Sequence, residues 1–212
     1  MCIRDSESSD QPLDELIQRA GSAVAWAARR FLKGSYGKRV VVIYGKGNNG
    51  KDGQVAASYL RKWGIKTIEY SVAEAPKQLP MCDLVIDAAY GTGIRGEYFA
   101  PSTEAPVIAV DIPSGINGLT GEVMGLPMKA YKTITFQALK PGHLLPTGSN
   151  YVGEIEVIDI GLDTSHIKTF QFFVVFWRAA NAISYNGLCT CRHYFHSNSH
   201  RTSIFTAINI RH

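Results

Sequence analysis

Gly45-Lys46-Gly47-Asn48-Asn49-Gly50-Lys51-Asp52-Gly53 follows the apolar run Val40-Val41-Val42-Ile43-Tyr44 and precedes a helical pattern from Gln54 to Trp63. A strand, a glycine-rich turn and a helix in that order form the phosphate-binding unit of two large groups of proteins. Gly45, Gly47 and Gly50 give G-x-G-x-x-G, the dinucleotide turn. Gly45, Gly50 and Lys51 give G-x-x-x-x-G-K, the nucleoside-triphosphate loop. The second reading needs a Ser or Thr after the lysine to hold magnesium. Asp52 stands there instead, and a carboxylate repels the phosphate oxygens such a loop cradles. The first reading wants an acid about 20 residues on, at the end of the next strand, and Glu69 is suitably placed. The plain alternative is that three glycines only make a tight turn.

Outward from this stretch the chain alternates strand and helix patterns. Leu13, Leu16, Ile17, Ala20, Val24, Ala27, Ala28, Phe31 and Leu32 recur at helical spacing and predict a helix over 12–33. Asp10 and Pro12 start it, and Gly34 ends it. A strand is expected at 39–44, a helix at about 53–63 and a strand at 65–70, with further strands at Leu84–Ala89, Val107–Val110, Ala130–Phe136 and Ile155–Ile160. The early runs are apolar throughout, as in parallel strands buried on both faces. The last alternates, as an edge strand does. This is the pattern of a doubly wound α/β sheet, which binds ligands beyond the carboxyl ends of its strands. Three glycine-containing loops fall there, at 45–53, 91–96 and 113–118. Acids stand in or just before them: Asp52, Asp87 and Asp111. A dehydrogenase has one such loop and also needs a substrate domain, for which the chain has no room.

A length of 212 residues suggests one domain. No run approaches the roughly 18 apolar residues of a membrane span. The amino terminus lacks a signal-peptide pattern, so the expected location is the cytoplasm. Cys2, Cys82, Cys189 and Cys191 are scattered and make no disulfide framework. The net charge of +4 is uneven: residues 1–163 carry 17 basic and 18 acidic side chains, while the last 49 carry 5 basic and none acidic. The main domain is thus not basic and gives no sign of nucleic-acid binding.

GKGNNGKDG at 45–53, DAAYGTG at 87–93, VDIPSG at 110–115 and TFQALKPG at 135–142 stand in one order. Together they resemble the NAD(P)H-hydrate epimerases, the YjeF N-terminal domain family, over residues 12–162. The resemblance implies a Rossmann-like three-layer α/β/α sandwich with a mostly parallel central sheet. It also implies interconversion of the R and S forms of hydrated NADH or NADPH. An S-specific dehydratase, separate or fused, then restores the cofactor. The dinucleotide becomes a substrate and not a hydride carrier. By the same resemblance Asn48, Asn49, Gly50, Lys51 and Asp52 contact the hydrated dinucleotide, and Gly91, Thr92, Gly93, Ile94, Arg95, Gly96 and Glu97 wrap it. Asn49, Asp87 and Ser114 hold a potassium ion, and their hard oxygen donors suit one. Asp111 binds substrate at the reacting end and is the candidate general acid and base, a role that needs a raised pKa. Lys140, placed beside it, would tune that pKa. A homodimer is implied as well. An oxidoreductase using NAD, or a non-catalytic nucleotide-binding module, is the alternative reading; and Asp111 capping its own turn is the alternative for that residue.

Two departures stand out. Lys51 replaces the family's usual glycine, either adding charge near a phosphate or pointing to solvent. The segment between Asp87 and Asp111 is short, and 97–104 lacks helical periodicity, so an irregular loop is expected there. Residues 1–9 read as a non-native or disordered leader, and the domain as 10–163. The tail at 164–212 reads as a frame-shifted or otherwise non-native translation, against an unstructured extension or a metal site made of Cys189, Cys191, His193, His196 and His200. The spacing of those five matches no standard zinc finger.

Overall fold

The computed structural model describes residues 12–162. The expected leader and the tail from 164, with its cysteines and histidines, lie outside the described residues.

Helix α1 (Leu13–Leu32) buries the stripe that its periodicity predicts, including Leu16, Ile17, Ala20, Val24, Ala27, Ala28 and Leu32. Asp14 and Glu15 occupy its first turn and Arg29 and Arg30 its last, matching the helix dipole. It stops where Lys33 takes a left-handed conformation. Strand β1 (Arg39–Tyr44) leads into α2 (Asn48–Lys62), followed by β2 (Lys66–Ser71) and β3 (Leu84–Ala88). Then come a two-residue strand β4 (Tyr98–Phe99), β5 (Val107–Val110), an equally short β6 (Gly125–Leu126) and β7 (Lys132–Phe136). A short helix α3 (Pro141–Leu144) and edge strand β8 (Glu154–Ile158) complete the domain.

Six strands form one sheet in the order β2-β1-β3-β5-β7-β8, every pair parallel. The chain moves from β1 outward to β2 and returns to β3 on the other side of β1. The switch point is therefore the gap between the ends of β1 and β3, where such sheets bind ligands. Both the 45–53 stretch and Asp87 lie there.

The two faces differ in chemistry. Alternate residues Val40, Val42, Leu84, Ile86, Ile108, Val110, Ile134 and Phe136 pack beneath α1 and α2 in one apolar core. Fully burying a Val, Leu, Ile or Phe side chain stabilises the fold by about 1.5–3 kcal/mol. The other set carries Val41, Ile43, Val85 and Val107, packed with Leu79, Tyr98 and Met128, and also the buried polar Asp87, Thr133 and Thr135. The third layer, over this face, consists of irregular chain and the small β4–β6 ribbon; the described residues place no long helix there. Only the two residues of β4 are regular within 97–104, in keeping with the expected loop.

One boundary moves. The helix expected from about 53 begins at Asn48, with Gly47 extended before it and Lys51 N–H donating to Gly47 O at 3.2 Å. The stretch read as a loop is thus largely the first turns of α2. Asn48 and Asn49 suit a helix start, where their poor intrinsic helix propensity matters least.

Candidate active site

The glycines of the 45–53 stretch are required by contact. A Cβ on Gly45 would lie 1.9 Å from Ala89 O, and one on Gly50 would lie 1.9 Å from Gly45 O. A Cβ on Gly53 would lie 2.4 Å from that of Ala88. These approaches press the amino end of α2 onto the ends of β1 and β3. Its unpaired first-turn N–H groups are thereby presented at the switch point, where the dipole favours an anion. Gly47 is the exception, since a Cβ there would meet nothing within 4 Å.

Asp111 follows β5 and is completely buried. Its carboxylate Oδ1 accepts from Lys140 Nζ in a close ion pair and from Thr135 Oγ1 at 3.1 Å. Lys140 Nζ also donates to Thr135 Oγ1 at 2.7 Å and to Phe136 O at 3.1 Å, which accounts for its three protons. Burial pushes the Asp111 carboxyl up, but nearby positive charge, that of Lys140 foremost, outweighs this, and the group is held well below the usual carboxylate range. The raised pKa expected for Asp111 is therefore replaced by a lowered one. The carboxyl pushed well above its ordinary value is Asp52, on α2, through burial, with the charge of Asp111 adding to the effect.

Thr135 and His143 escaped the sequence reading. Thr135 lies inside the TFQALKPG motif, so its place next to Lys140 was available as a signal; His143 has none. His143 is fully buried on α3, and its Nδ1 accepts the Lys140 N–H at 3.1 Å while Nε2 lies 2.8 Å from Asp111 O. Burial, helped by the Lys140 charge, pushes its pKa down from 6.5 to about 4. Neutral in the fold, it gives no pH dependence above 6.5; below that the unfolded chain takes up a proton that the fold refuses. Stability is thus lost between pH 6.5 and about 4, by up to about 3 kcal/mol. Urea unfolding across this range, as the difference between wild type and His143→Gln, should show that loss.

Asp87, at the end of β3, is also fully buried. Its Oδ2 accepts Ser114 N–H at 2.9 Å and its Oδ1 accepts Ser114 Oγ–H at 2.6 Å, while Ser114 Oγ accepts Tyr90 N–H at 2.8 Å. Burial still pushes its pKa up. Asn49 packs against this segment: a Cβ on Gly91 would lie 3.3 Å from its Cγ. Both polar atoms of the Asn49 amide, and Tyr98 Oη, are buried without a partner, the only such side-chain atoms among the described residues. The charge of Asp87 is felt at Tyr98. An orphaned amide oxygen, a serine oxygen and a carboxylate disfavoured by burial are what a hard cation would satisfy, so these residues fit potassium.

Other residues singled out in the sequence fall less centrally. Gly91, Thr92, Gly93, Ile94, Arg95, Gly96 and Glu97 form an open turn, with Ile94 N–H donating to Gly91 O at 3.3 Å. Thr92 packs on Gly118, which anchors one end of the turn to the loop after β5. Arg95, Gly96 and Glu97 are exposed. Lys51 is exposed too and lines a groove of about 520 Å³ between α1 and α2 with Asp14, Gln18 and Gln54. Its charge still bears on Asp52, opposing the upward push of burial on that carboxyl. Glu69, suited to a ribose on the cofactor reading, is instead paired with Arg61 of α2.

A parallel sheet with a glycine-tightened helix start at its switch point and buried acids beside it defines a Rossmann-like α/β domain. The chain belongs to the family described as YjeF-related protein N-terminus, which matches residues 13–82 and 64–142. It is 36% identical to an NAD(P)H-hydrate epimerase of Limosilactobacillus fermentum, over 68% of this chain and 84% of that one. It is 33% identical to a bifunctional NAD(P)H-hydrate repair enzyme Nnr of Pyrobaculum aerophilum, over 75% of this chain and 40% of that enzyme. The chain thus spans less than half the length of the bifunctional relatives it matches. The fold is that of the crystal structure of yeast ynu0, YNL200c, with a TM-score of 0.56 and 20% identity over 71% of this chain and 79% of that one.

Proposed function

We propose that this chain is an NAD(P)H-hydrate epimerase, acting on the hydrated nicotinamide ring of NADH or NADPH. The observation that carries the reading is the buried Asp111–Lys140–Thr135 cluster next to the amino end of α2. An anion site and a proton-handling site lie side by side, which suits a substrate with a pyrophosphate at one end and a hydrated ring at the other. The names of the Limosilactobacillus and Pyrobaculum relatives support it.

In this mechanism the ring's C6 hydroxyl takes a proton, the C6–O bond breaks and water leaves. The lone pair of the ring nitrogen forms a flat iminium. Water adding to the other face gives up a proton and inverts the centre, with nothing oxidised or reduced. Two carboxyls whose surroundings push their pKa values apart are fitted to the two proton transfers. Asp52, whose pKa burial raises, supplies the acid; Asp111, paired with Lys140, takes the proton from the adding water, and proton exchange with solvent resets both carboxyls for the next turnover. Starting from the separated R form, chromatography should show the protein hastening formation of the S form. Equal rates with and without protein would remove the reading.

Potassium belongs to the proposal, held by Asn49, Asp87 and Ser114. When bound it supplies positive charge beside the substrate cleft. At 100-fold excess over its dissociation constant it should stabilise the fold by about 2.7 kcal/mol. Thermal melts in potassium against tetramethylammonium should show that rise, and Asp87→Asn should lose it. A homodimer and a cytoplasmic location complete the reading. Exposed Phe99 and Leu126, adjacent in the β4–β6 ribbon, and the free thiol of Cys82 are in keeping with them. No helix among the described residues is long and apolar enough to cross a membrane. The functional partner is an S-specific dehydratase, fused or separate.

A further inference from the structure

Asp111 stands in a backbone conformation that side chains rarely adopt, with φ at 66°. Ile112 N–H donates to Val110 O at 2.8 Å, closing a three-residue turn with Asp111 at its centre, and Asp111 N–H donates to Ile134 O at 2.7 Å. Such a turn with positive φ is strained and persists only where its surroundings hold it. The remaining backbone group of Asp111, its carbonyl, points to His143.

The tautomer of His143 follows from its partners. The Lys140 amide can only donate, so Nδ1 is the acceptor and Nε2 carries the proton that goes to Asp111 O. One rigid ring therefore spans the backbones of both members of the ion pair. On its far side α3 is fixed by Gly142 N–H donating to Gly118 O at 2.8 Å, where a Cβ on Gly142 would lie 2.3 Å from Asn117 O. Among the described residues, the charged groups that bear on the ring are Lys140 and Asp111 themselves.

We propose that His143 is a positioning residue for the Asp111–Lys140 pair, holding the strained turn and the lysine's backbone at a fixed separation. The proposal rests on the epimerase reading for its effect on turnover, but its geometry can be tested without turnover. His143→Gln keeps an N–H that reaches the Asp111 carbonyl. His143→Asn keeps only an acceptor for the Lys140 amide. Misplacing a reacting group by about 1 Å costs roughly 100-fold. His143→Asn should therefore lower kcat by about that factor at unchanged KM, while His143→Gln stays close to wild type. The second readout is the carboxyl 13C titration of Asp111, whose midpoint should rise in His143→Asn and not in His143→Gln.

Equal kcat and equal Asp111 midpoints in the two variants would overturn the proposal. So would nitrogen NMR of the wild-type ring showing its neutral proton on Nδ1. If His143→Asn does not fold, that tautomer and the midpoint in His143→Gln decide the matter. A wild-type chain without epimerase activity would remove the functional reading and leave the titration to judge the positioning.

Discussion

Replacing Asp111 with asparagine is expected to lower epimerisation by about 100- to 10,000-fold, the usual contribution of a positioned acid or base. The same change should also destabilise the fold, because the ammonium of Lys140, only 15% exposed, would lose its carboxylate. Breaking such a pair by removing one partner costs about 3–5 kcal/mol, whereas removing both charges is often neutral. The two effects can be separated. Asp111→Asn combined with Lys140→Met should recover most of the stability and none of the activity. Asp111 is held below its unfolded value of 3.8. Its contribution is therefore complete above that pH and is lost only as acidification passes through the lower, folded value. Near-wild-type turnover in Asp111→Asn would show that another group handles the proton.

The largest structural effect is expected at Gly50. A Cβ there would fall 1.9 Å from Gly45 O, with Gly45 C and N at 2.7 and 2.8 Å. The obstacle is backbone, so no rotamer change relieves it. Gly50→Ala must push the start of α2 off the end of β1, and overpacking a rigid site costs about 3 kcal/mol or more. For a domain of this size that lowers the melting temperature by roughly 6–12 °C. Gly47→Ala is the control: nothing lies within 4 Å of its Cβ position, and its φ of −85° suits any residue. It should melt like wild type. Similar melting of the two alanine variants would contradict the packing described at the switch point.

The sheet was readable because each strand carried its own signal. Val40 to Ile43 are apolar throughout since the strand is covered on both faces, and Glu154 and Glu156 alternate with apolar residues since β8 is an edge. The start of α2 was misplaced for a physical reason. Asn-Asn-Gly resembles a loop until Gly45 and Gly50 are seen to touch through their backbones. Asp87, Ser114, Asp111 and Lys140 were found through motifs, and the structure pairs them two by two. The opposed pKa directions of Asp52 and Asp111 were not readable, because they depend on where the Lys140 ammonium ends and on how deeply each carboxyl is buried. His143 was invisible in the sequence because a lone histidine carries no period and no motif; only its two backbone partners give it a role.

The most direct test of the epimerase assignment couples the protein to an S-specific NAD(P)H-hydrate dehydratase supplied only with the R form of hydrated NADH. Recovery of the nicotinamide absorbance should be limited by the slow spontaneous epimerisation when the protein is absent. It should accelerate in proportion to added wild-type protein, and fall back to the spontaneous rate with Asp111→Asn. A recovery rate that wild-type protein leaves unchanged would contradict the assignment of this site to epimerisation.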